Sequence, residues 1–279
     1  MNKFFLNLFI ATFLFSFYSC KKKGCTDPSA QNYNQSAQLN DGSCNYDSSF
    51  NLSIGFDHYY NFSLLTQGDF EILQYINSAG NVHSLTKLQY LISNVCLYTP
   101  SGDSIEIKGY KLIDLNNPST LDYSLDNTSL QSGSYTGMGF TFGFIEAENI
   151  SGSYTDLNSA SWSWPEMFGG GYHFMKMEGR FIDTNIDTTS FTYHMGTARE
   201  IILNDTVFHD NTIHIKIDTS FNLTNNARID LKVNLDEWFK NPNIWDLNQY
   251  NSMLMANYNA QRMMQENGAT VFTWGGITP

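Results

Sequence analysis

The sequence predicts an all-β fold, an antiparallel β-sandwich of Greek-key type with short C-terminal helices. The first observation is composition: 15% of the residues are charged, while 16 Tyr and 21 Phe help bring the aromatic share to 15%. Aromatic and β-branched residues are enriched in strands. The second is spacing, because apolar segments with strand character recur at short intervals between polar turns. The third is that no helical period appears until late in the chain.

The charge balance excludes one class of partner. Fifteen Lys and Arg stand against 27 Asp and Glu, which gives a net charge of −12. Phosphates would be repelled rather than neutralised by such a surface, so we expect no nucleic-acid partner. With 42% hydrophobic residues the chain can bury a sizeable core, which excludes global disorder.

The strands are predicted from alternation and turn signals. Leu52, Ile54 and Phe56 alternate with polar or small residues, a period of two. The apolar run 88–98 is followed by turn residues, so we expect it to pair with a strand over 105–113. The other predicted strands cover 134–144, 171–182, 190–194, 200–207, 212–217 and 228–235. Many strands at short spacing indicate a sandwich or barrel.

Helix is predicted only near the C-terminus. Asn259 is positioned to cap a helix over 260–267, and Gly268 follows where a helix commonly ends. A single helical turn is predicted over 236–240, because an Asn-Pro pair follows it. The polar stretch 183–189 is predicted to be a loop between strands.

Residues 1–19 are predicted to be a signal peptide. Lys3 gives a short positive start, and 4–19 is a nearly unbroken apolar run, too short for a comfortable membrane span. The run ends at Cys20, which resembles a loose lipobox of bacterial lipoproteins, in which this Cys is acylated. The alternative is an ordinary secretory peptide with a coincidental Cys. We therefore expect an outer-membrane lipoprotein in a Gram-negative cell envelope, facing the periplasm or the cell surface.

Segment 20–49 is predicted to be a lipid-anchored unit, followed by the sandwich domain at 50–279. Cys25 and Cys44 bracket a polar stretch that has almost no core-forming residues, so we predict a disulfide between them. Closing such a loop stabilises the segment by about 3 kcal/mol. Cys96 lies in a predicted strand and is expected to be a buried free thiol.

The same segment resembles a short module found near the N-termini of bacterial envelope proteins, with the pattern GCTDPxAxNYxxxAxxxDGSCxY. Asp27, Asn40 and Asp41 supply oxygen atoms of the kind that bind Ca²⁺. The alternative, in which these Asp and Asn side chains form turns, is favoured.

The sequence does not predict an enzyme. It contains no GxSxG, P-loop, HExxH or CxxC motif. Its six histidines are more interesting as metal ligands than as catalysts, although a lone His on a strand is usually structural. They are scattered along the chain, at His58, His83, His173, His194, His209 and His214.

Six strings together resemble the MbnP-like copper-binding domain, named for the methanobactin-associated periplasmic protein. They are GFDH at 55–58, YLISNV at 90–95, SYTG at 134–137, WSW at 162–164, GYHFMKMEG at 171–179 and FTYHMG at 191–196. The resemblance runs from about Ser53 to Trp274. It implies a β-sandwich exported to the cell envelope, in which His side chains and an oxidised Trp, kynurenine, hold copper. It also implies a dihaem cytochrome c peroxidase-like partner that is associated with making the kynurenine.

Carried over by residue, the resemblance gives His58 and His194 as copper ligands, expected to converge within about 5 Å of one another. Trp162 or Trp164 is the Trp that would be oxidised. His173 is a weaker ligand candidate, since many relatives carry an apolar residue there. The family often ends with further His after its last strand, and none follows Phe272 here.

Each of these features has a structural alternative. The two imidazoles would also serve as hydrogen-bonding groups within the sandwich, and the two Trp side chains as a cover for the sheet. Four Met residues near the C-terminal helix suit core filling better than copper binding, namely Met253, Met255, Met263 and Met264. The function expected is an envelope-anchored copper carrier or store, and the alternative is a cell-surface interaction or assembly module without metal.

Overall fold

The structure is a computed structural model that describes residues 21–28, 30–45, 51–125, 130–224 and 226–279. The predicted signal peptide at 1–19 and the predicted acylation site Cys20 lie outside the described residues. The described residues fall into two compact units, one within 1–46 and one within 47–279. The boundary predicted at 49/50 also lies outside them and stays a prediction. No helix in the described ranges is long and apolar enough to cross a membrane.

The N-terminal unit is held by the predicted disulfide between Cys25 and Cys44, whose Cα atoms are 4.7 Å apart. Asn40 and Asp41 each accept a backbone N–H two residues ahead, from Gly42 and Ser43. Both side chains therefore form the turns that the sequence favours for them over Ca²⁺ binding. The calcium site itself stays a prediction.

The larger unit is built almost entirely of strands. Those in the described ranges are β1 (Leu52–Tyr60), β2 (Ser63–Leu64), β3 (Tyr75–Ile76), β4 (Val82–Tyr98), β5 (Ser104–Asp114), β6 (Asp122–Leu125), β7 (Gly133–Tyr135), β8 (Gly137–Phe142), β9 (Met175–Ile182), β10 (Thr188–Met195), β11 (Ala198–Ile202), β12 (Asp205–His209), β13 (Ile213–Ile217), β14 (Phe221–Leu223), β15 (Ala227–Asn234) and β16 (Phe272–Thr278). The helices are α1 (Thr155–Ser159) and α2 (Tyr258–Gly268). Short 3-10 helices cover Gln67–Asp69, Pro118–Thr120, Glu166–Phe168, Leu235–Phe239 and Leu254–Ala256.

Two sheets form the sandwich, which confirms the predicted fold class. A five-stranded sheet has the order β16-β15-β1-β2 with β6 on β1, and a seven-stranded sheet has the order β10-β9-β4-β8-β13 with β3 and β5 on β4. β1 runs parallel to β15, a departure from the antiparallel pattern that the other described strand pairs follow. β11 and β12 form a separate hairpin.

The main core lies between the two sheets and takes one face of each. Alternate residues of β1, including Ile54 and Phe56, pack with Leu88, Tyr90 and Ile92 of β4. A second, smaller cluster lies on the other face of the seven-stranded sheet, which we call the outer face. It consists of Leu91, Phe144, Leu157, Trp162 and Tyr172. The segment between β8 and β9 thus covers part of the outer face.

Several local predictions differ from the structure. The strand predicted over 171–182 begins only at Met175, because glycines 169–171 bend the chain with positive φ. The helix α1 lies upstream of the C-terminal part to which the sequence analysis confined helix. Segment 200–207 is a hairpin rather than one strand, because Leu203 and Asn204 turn the chain with φ of 51° and 77°. The C-terminal helix begins earlier than predicted, since its cap is Asn257, whose side chain accepts from the Ala260 N–H. Cys96 is free, as predicted, but half-buried rather than buried.

Candidate metal centre

The structure does not bring His58 and His194 together. On the seven-stranded sheet, His194 pairs with Lys176, whereas Tyr90 pairs with Met175 one position away. Because successive side chains of a strand point to opposite faces, His194 lies on the outer face and Tyr90 on the core face. His58 contacts Tyr90 from β1 and so lies between the sheets. The predicted convergence is therefore wrong, since the seven-stranded sheet separates the two imidazoles.

His58 is a core residue of the sandwich. Its side chain is buried, and its Nε2 lies 3.0 Å from the hydroxyl oxygen of Tyr90. Burial lowers the pKa of His58 to about 3, because a charged imidazole is poorly solvated there. The ring is neutral at physiological pH and is held by a buried phenol.

His173 and His194 do meet. Their ring centroids are 5.4 Å apart, and the two ring planes are nearly perpendicular, at 82°. His194 is carried by β10, while His173 precedes β9 in a segment that pairs with the WSW string. Its backbone N–H donates to the Trp162 carbonyl at 2.9 Å, and Ser163 bridges to Tyr172. This pairing brings His173 to the outer face beside His194.

Both Trp side chains of the WSW string pack against His173. The centroid distances are 5.6 Å for Trp162 and 4.9 Å for Trp164, and both indoles are buried. The Nε1–H of Trp164 donates to the Phe168 carbonyl at 3.1 Å. The Nε1 of Trp162 is buried without a hydrogen-bond partner, which is uncommon for a buried N–H. Four of the five predicted site residues therefore form one cluster.

The hydrogen bond of His173 defines its free nitrogen. Its Nδ1 lies 3.0 Å from the Trp162 carbonyl oxygen, which can only accept, so Nδ1 carries the hydrogen. Burial, together with the nearby charge of Lys176, lowers the pKa of His173 to about 3. The imidazole is thus neutral, and its lone pair is on Nε2. A neutral imidazole fixed through one nitrogen is the form that binds metals.

Charged side chains surround His194 on the outer face. Its Nε2 lies 3.0 Å from Oε1 of Glu178, and the Nζ of Lys87 lies 3.0 Å from the same oxygen. These hydrogen bonds, from His194 first, lower the pKa of Glu178 to about 2. The Nζ of Lys176 lies 4.8 Å from the centroid of Trp162. Sequence reasoning missed Glu178 and Lys87, although Glu178 alternates with the buried Met177 and Gly179 on β9.

The protein donors of this cluster are the two imidazoles. No group of three or more His, Cys, Asp and Glu side chains that could hold a metal ion occurs in the part of the chain that the structure describes. Two imidazoles on one ion have ring centroids about 5–6 Å apart, because each nitrogen lies about 2 Å from the metal. The observed separation of 5.4 Å fits that requirement. The cluster therefore fits an ion that accepts nitrogen ligands and takes further donors from a modified side chain or elsewhere.

The chain is similar to a known protein family and to a solved structure. A family model described as MbnP matches residues 49–256. Among solved structures, MbnP from Methylosinus trichosporium is similar at 12% sequence identity and a TM-score of 0.46, covering 70% of this chain and 78% of that chain. No curated protein sequence matches the chain.

Proposed function

The chain belongs to the MbnP family, and from that premise we propose that it is an envelope-anchored copper-binding protein that carries or stores the metal. The observation that carries the proposal is the meeting of two imidazoles, His173 and His194, beside two buried indoles. Imidazole is a preferred copper ligand. The role proposed is binding, not catalysis.

Oxidation of a Trp would complete the donor set. Kynurenine offers an aryl amine and a ketone where the indole stood, and both Trp162 and Trp164 lie in ring contact with His173. We propose one of these two as the modified residue and a dihaem cytochrome c peroxidase-like protein as the partner that oxidises it. His58 is not part of the proposed set, because its imidazole lies on the core face with Tyr90.

The test is a copper titration of the full chain, freed of metal and measured by competition with a chromophoric Cu(I) chelator. The wild type should bind about one equivalent. His173→Ala and His194→Ala should each weaken binding at least tenfold, about 1.4 kcal/mol. His214→Ala is the matched control, because His214 is exposed on β13, at the opposite edge of the seven-stranded sheet from β10, which carries His194. Equal affinities for all four proteins would contradict the proposal.

The proposed anchor is tested separately. The apolar run ending at Cys20 motivates a diacylated lipoprotein, and several acyl chains give stable membrane attachment. Growth with a labelled fatty-acid analogue should mark the wild type and leave Cys20→Ala unmarked. Equal labelling of both proteins would remove the lipoprotein from the proposal.

A second candidate function is a cell-surface interaction or assembly module that binds no metal. The observation that favours it is the β11–β12 hairpin, where Ile201, Leu203 and Phe208 are 61%, 94% and 49% exposed. Large apolar side chains exposed together mark contact surfaces. Metal analysis of the protein purified from its native envelope separates the two functions: about one copper per chain supports the first, and none supports the second.

A further inference from the structure

One carboxylate oxygen on the outer face joins a candidate ligand to a lysine. Oε1 of Glu178 lies 3.0 Å from Nε2 of His194 and 3.0 Å from Nζ of Lys87. The three residues sit on adjacent strands: Glu178 pairs with Lys87 across β9 and β4, and His194 lies diagonally across β9 and β10. The arrangement thus rests on the register of the sheet, not on a mobile loop.

We propose that Glu178 is a positioning residue that makes Nδ1 of His194 the metal donor, with Lys87 holding Glu178 in place. This inference rests on the proposed function. An ionised carboxylate only accepts hydrogen bonds, so the nitrogen that faces it must carry the hydrogen. With Nε2–H donating to Glu178, Nδ1 is the nitrogen that carries the lone pair whenever the His194 ring is neutral.

Each of the two imidazoles then has one nitrogen that donates a hydrogen bond and one that is free to bind a metal. His173 donates from Nδ1 to the Trp162 carbonyl and keeps Nε2 for a metal, while His194 donates from Nε2 to Glu178 and keeps Nδ1. A metal-bound His usually donates its other N–H to a carbonyl or a carboxylate, which fixes the tautomer and the ring orientation and raises the basicity of the ligand. The carboxylate differs from the carbonyl by its negative charge, which favours a bound cation.

Lys87 adds a restraint on the carboxylate. Its ammonium group shares Oε1 with His194, so Glu178 cannot rotate toward solvent without breaking two charge-assisted hydrogen bonds. Glu178 and Lys87 are partly exposed, with 26% and 39% of their side chains accessible. Lys87→Met should therefore loosen Glu178 without removing the bond to His194.

The experiment uses the full chain labelled with ¹⁵N-histidine, read by NMR without metal and by copper titration. In the metal-free wild type, the His194 ring should show the Nε2–H tautomer. Glu178→Gln should lose that preference, because an amide can donate as well as accept, and should weaken copper binding about tenfold or more. Lys87→Met should keep the tautomer with a smaller loss of affinity. Glu106→Gln is the matched control, since Glu106 is exposed opposite Cys96 on the same face.

The outcomes separate this inference from the proposed function. A wild-type His194 in the Nδ1–H form overturns the inference, whether or not copper binds. Copper binding by the wild type with an unchanged tautomer and affinity in Glu178→Gln overturns the inference alone. A wild type that binds no copper overturns the proposed function and the metal role of Glu178 together, and the NMR measurement then shows whether Glu178 sets the tautomer without a metal.

Discussion

Two faces of one sheet carry histidines of opposite kinds. On the core face, His58 is buried, and its ring lies 5.7 Å from that of Tyr90, centroid to centroid. On the outer face, His173 and His194 face one another, with Glu178 and Lys176 nearby. His58 and His173 are both buried with a lowered pKa. Burial and a lowered pKa therefore do not by themselves identify a candidate ligand. What distinguishes the outer face is a second imidazole and charged neighbours that hold it.

This comparison predicts that removing the His58 side chain lowers stability but not copper affinity, whereas removing the His194 side chain lowers copper affinity with a smaller loss of stability. His58→Ala removes a buried ring and leaves the Tyr90 hydroxyl without its partner, so the free energy of unfolding should fall by about 3 kcal/mol. His194→Ala should cost about 1 kcal/mol or less, since its side chain is 18% exposed and its carboxylate partner reaches solvent. Urea denaturation followed by Trp fluorescence measures both. Copper affinity should change only in the second variant.

A larger loss of stability in His194→Ala than in His58→Ala would break the comparison. So would a tenfold loss of copper affinity in His58→Ala, because it would mean that an imidazole on the core face takes part in binding.

The second prediction concerns acid. His58 has a folded pKa of about 3, below its unfolded value near 6.5, so between these values the unfolded chain binds a proton that the folded chain does not. Stability should therefore be full above pH 6.5 and fall as the pH drops, by about 1.4 kcal/mol per unit for this group. At pH 5 the loss is about 2 kcal/mol. The window above pH 5 excludes Glu178, whose contribution is lost only below its usual value of 4.5.

His58→Gln should remove this one proton from the pH dependence, while His83 and His173 retain theirs. Unfolding free energies at pH 7 and pH 5 measure the difference. An equal loss between these pH values in wild type and His58→Gln would show that His58 is charged in the folded state.

The alternation of side chains along each strand explains how much of the site is predictable from the sequence. His58 is in phase with Ile54 and Phe56, which are apolar and core-facing, whereas His194 alternates with Tyr193 and Met195. The period of two within each strand is enough to assign the two histidines to different kinds of face. The predicted pair rests on family resemblance alone, and the alternation within each strand contradicts it.

The position of His173 does not follow from the same reasoning. Glycines at 169, 170 and 171 adopt φ of 112°, 68° and 81°, and this bend interrupts the phase that β9 would otherwise extend backward. The pairing of 162–164 with 171–173 is a contact within a loop, and the periodicity of the sequence does not predict it. Likewise the turn at Leu203 and Asn204 carries no glycine, so the sequence predicts a single strand where the chain forms a hairpin.

The third prediction tests how closely the outer-face cluster is packed. A Cβ at Gly196 would come within 2.6 Å of the Trp164 ring, so Gly196→Ala forces that ring to move. We expect a loss of about 1–2 kcal/mol in unfolding free energy and a change in Trp fluorescence. Copper affinity should fall with it, because Trp164 packs on His173.

Gly68→Ala is the matched control for Gly196→Ala. The nearest atom to its Cβ would be Oγ1 of Thr66 at 3.6 Å, an ordinary contact, so stability should be unchanged within about 0.5 kcal/mol. Equal stabilities for the two Ala variants would mean that the outer-face cluster accommodates the added methyl group at position 196 without strain.

The smallest effect concerns the charge over Trp162. The Nζ of Lys176 lies 4.8 Å from the indole centroid and donates to the Ser161 carbonyl at 2.8 Å. Lys176→Met keeps an apolar stem but removes the charge, so stability should fall by about 1 kcal/mol. Copper affinity should rise several-fold, because a positive charge beside His173 opposes a bound cation. Lys216→Met is the control, because the Lys216 Nζ lies 5.1 Å from the Tyr98 centroid and its side chain is 55% exposed. We expect its free energy of unfolding to change by less than about 0.5 kcal/mol and its copper binding to stay the same. Weaker copper binding in Lys176→Met than in wild type would contradict the electrostatic account of the outer face.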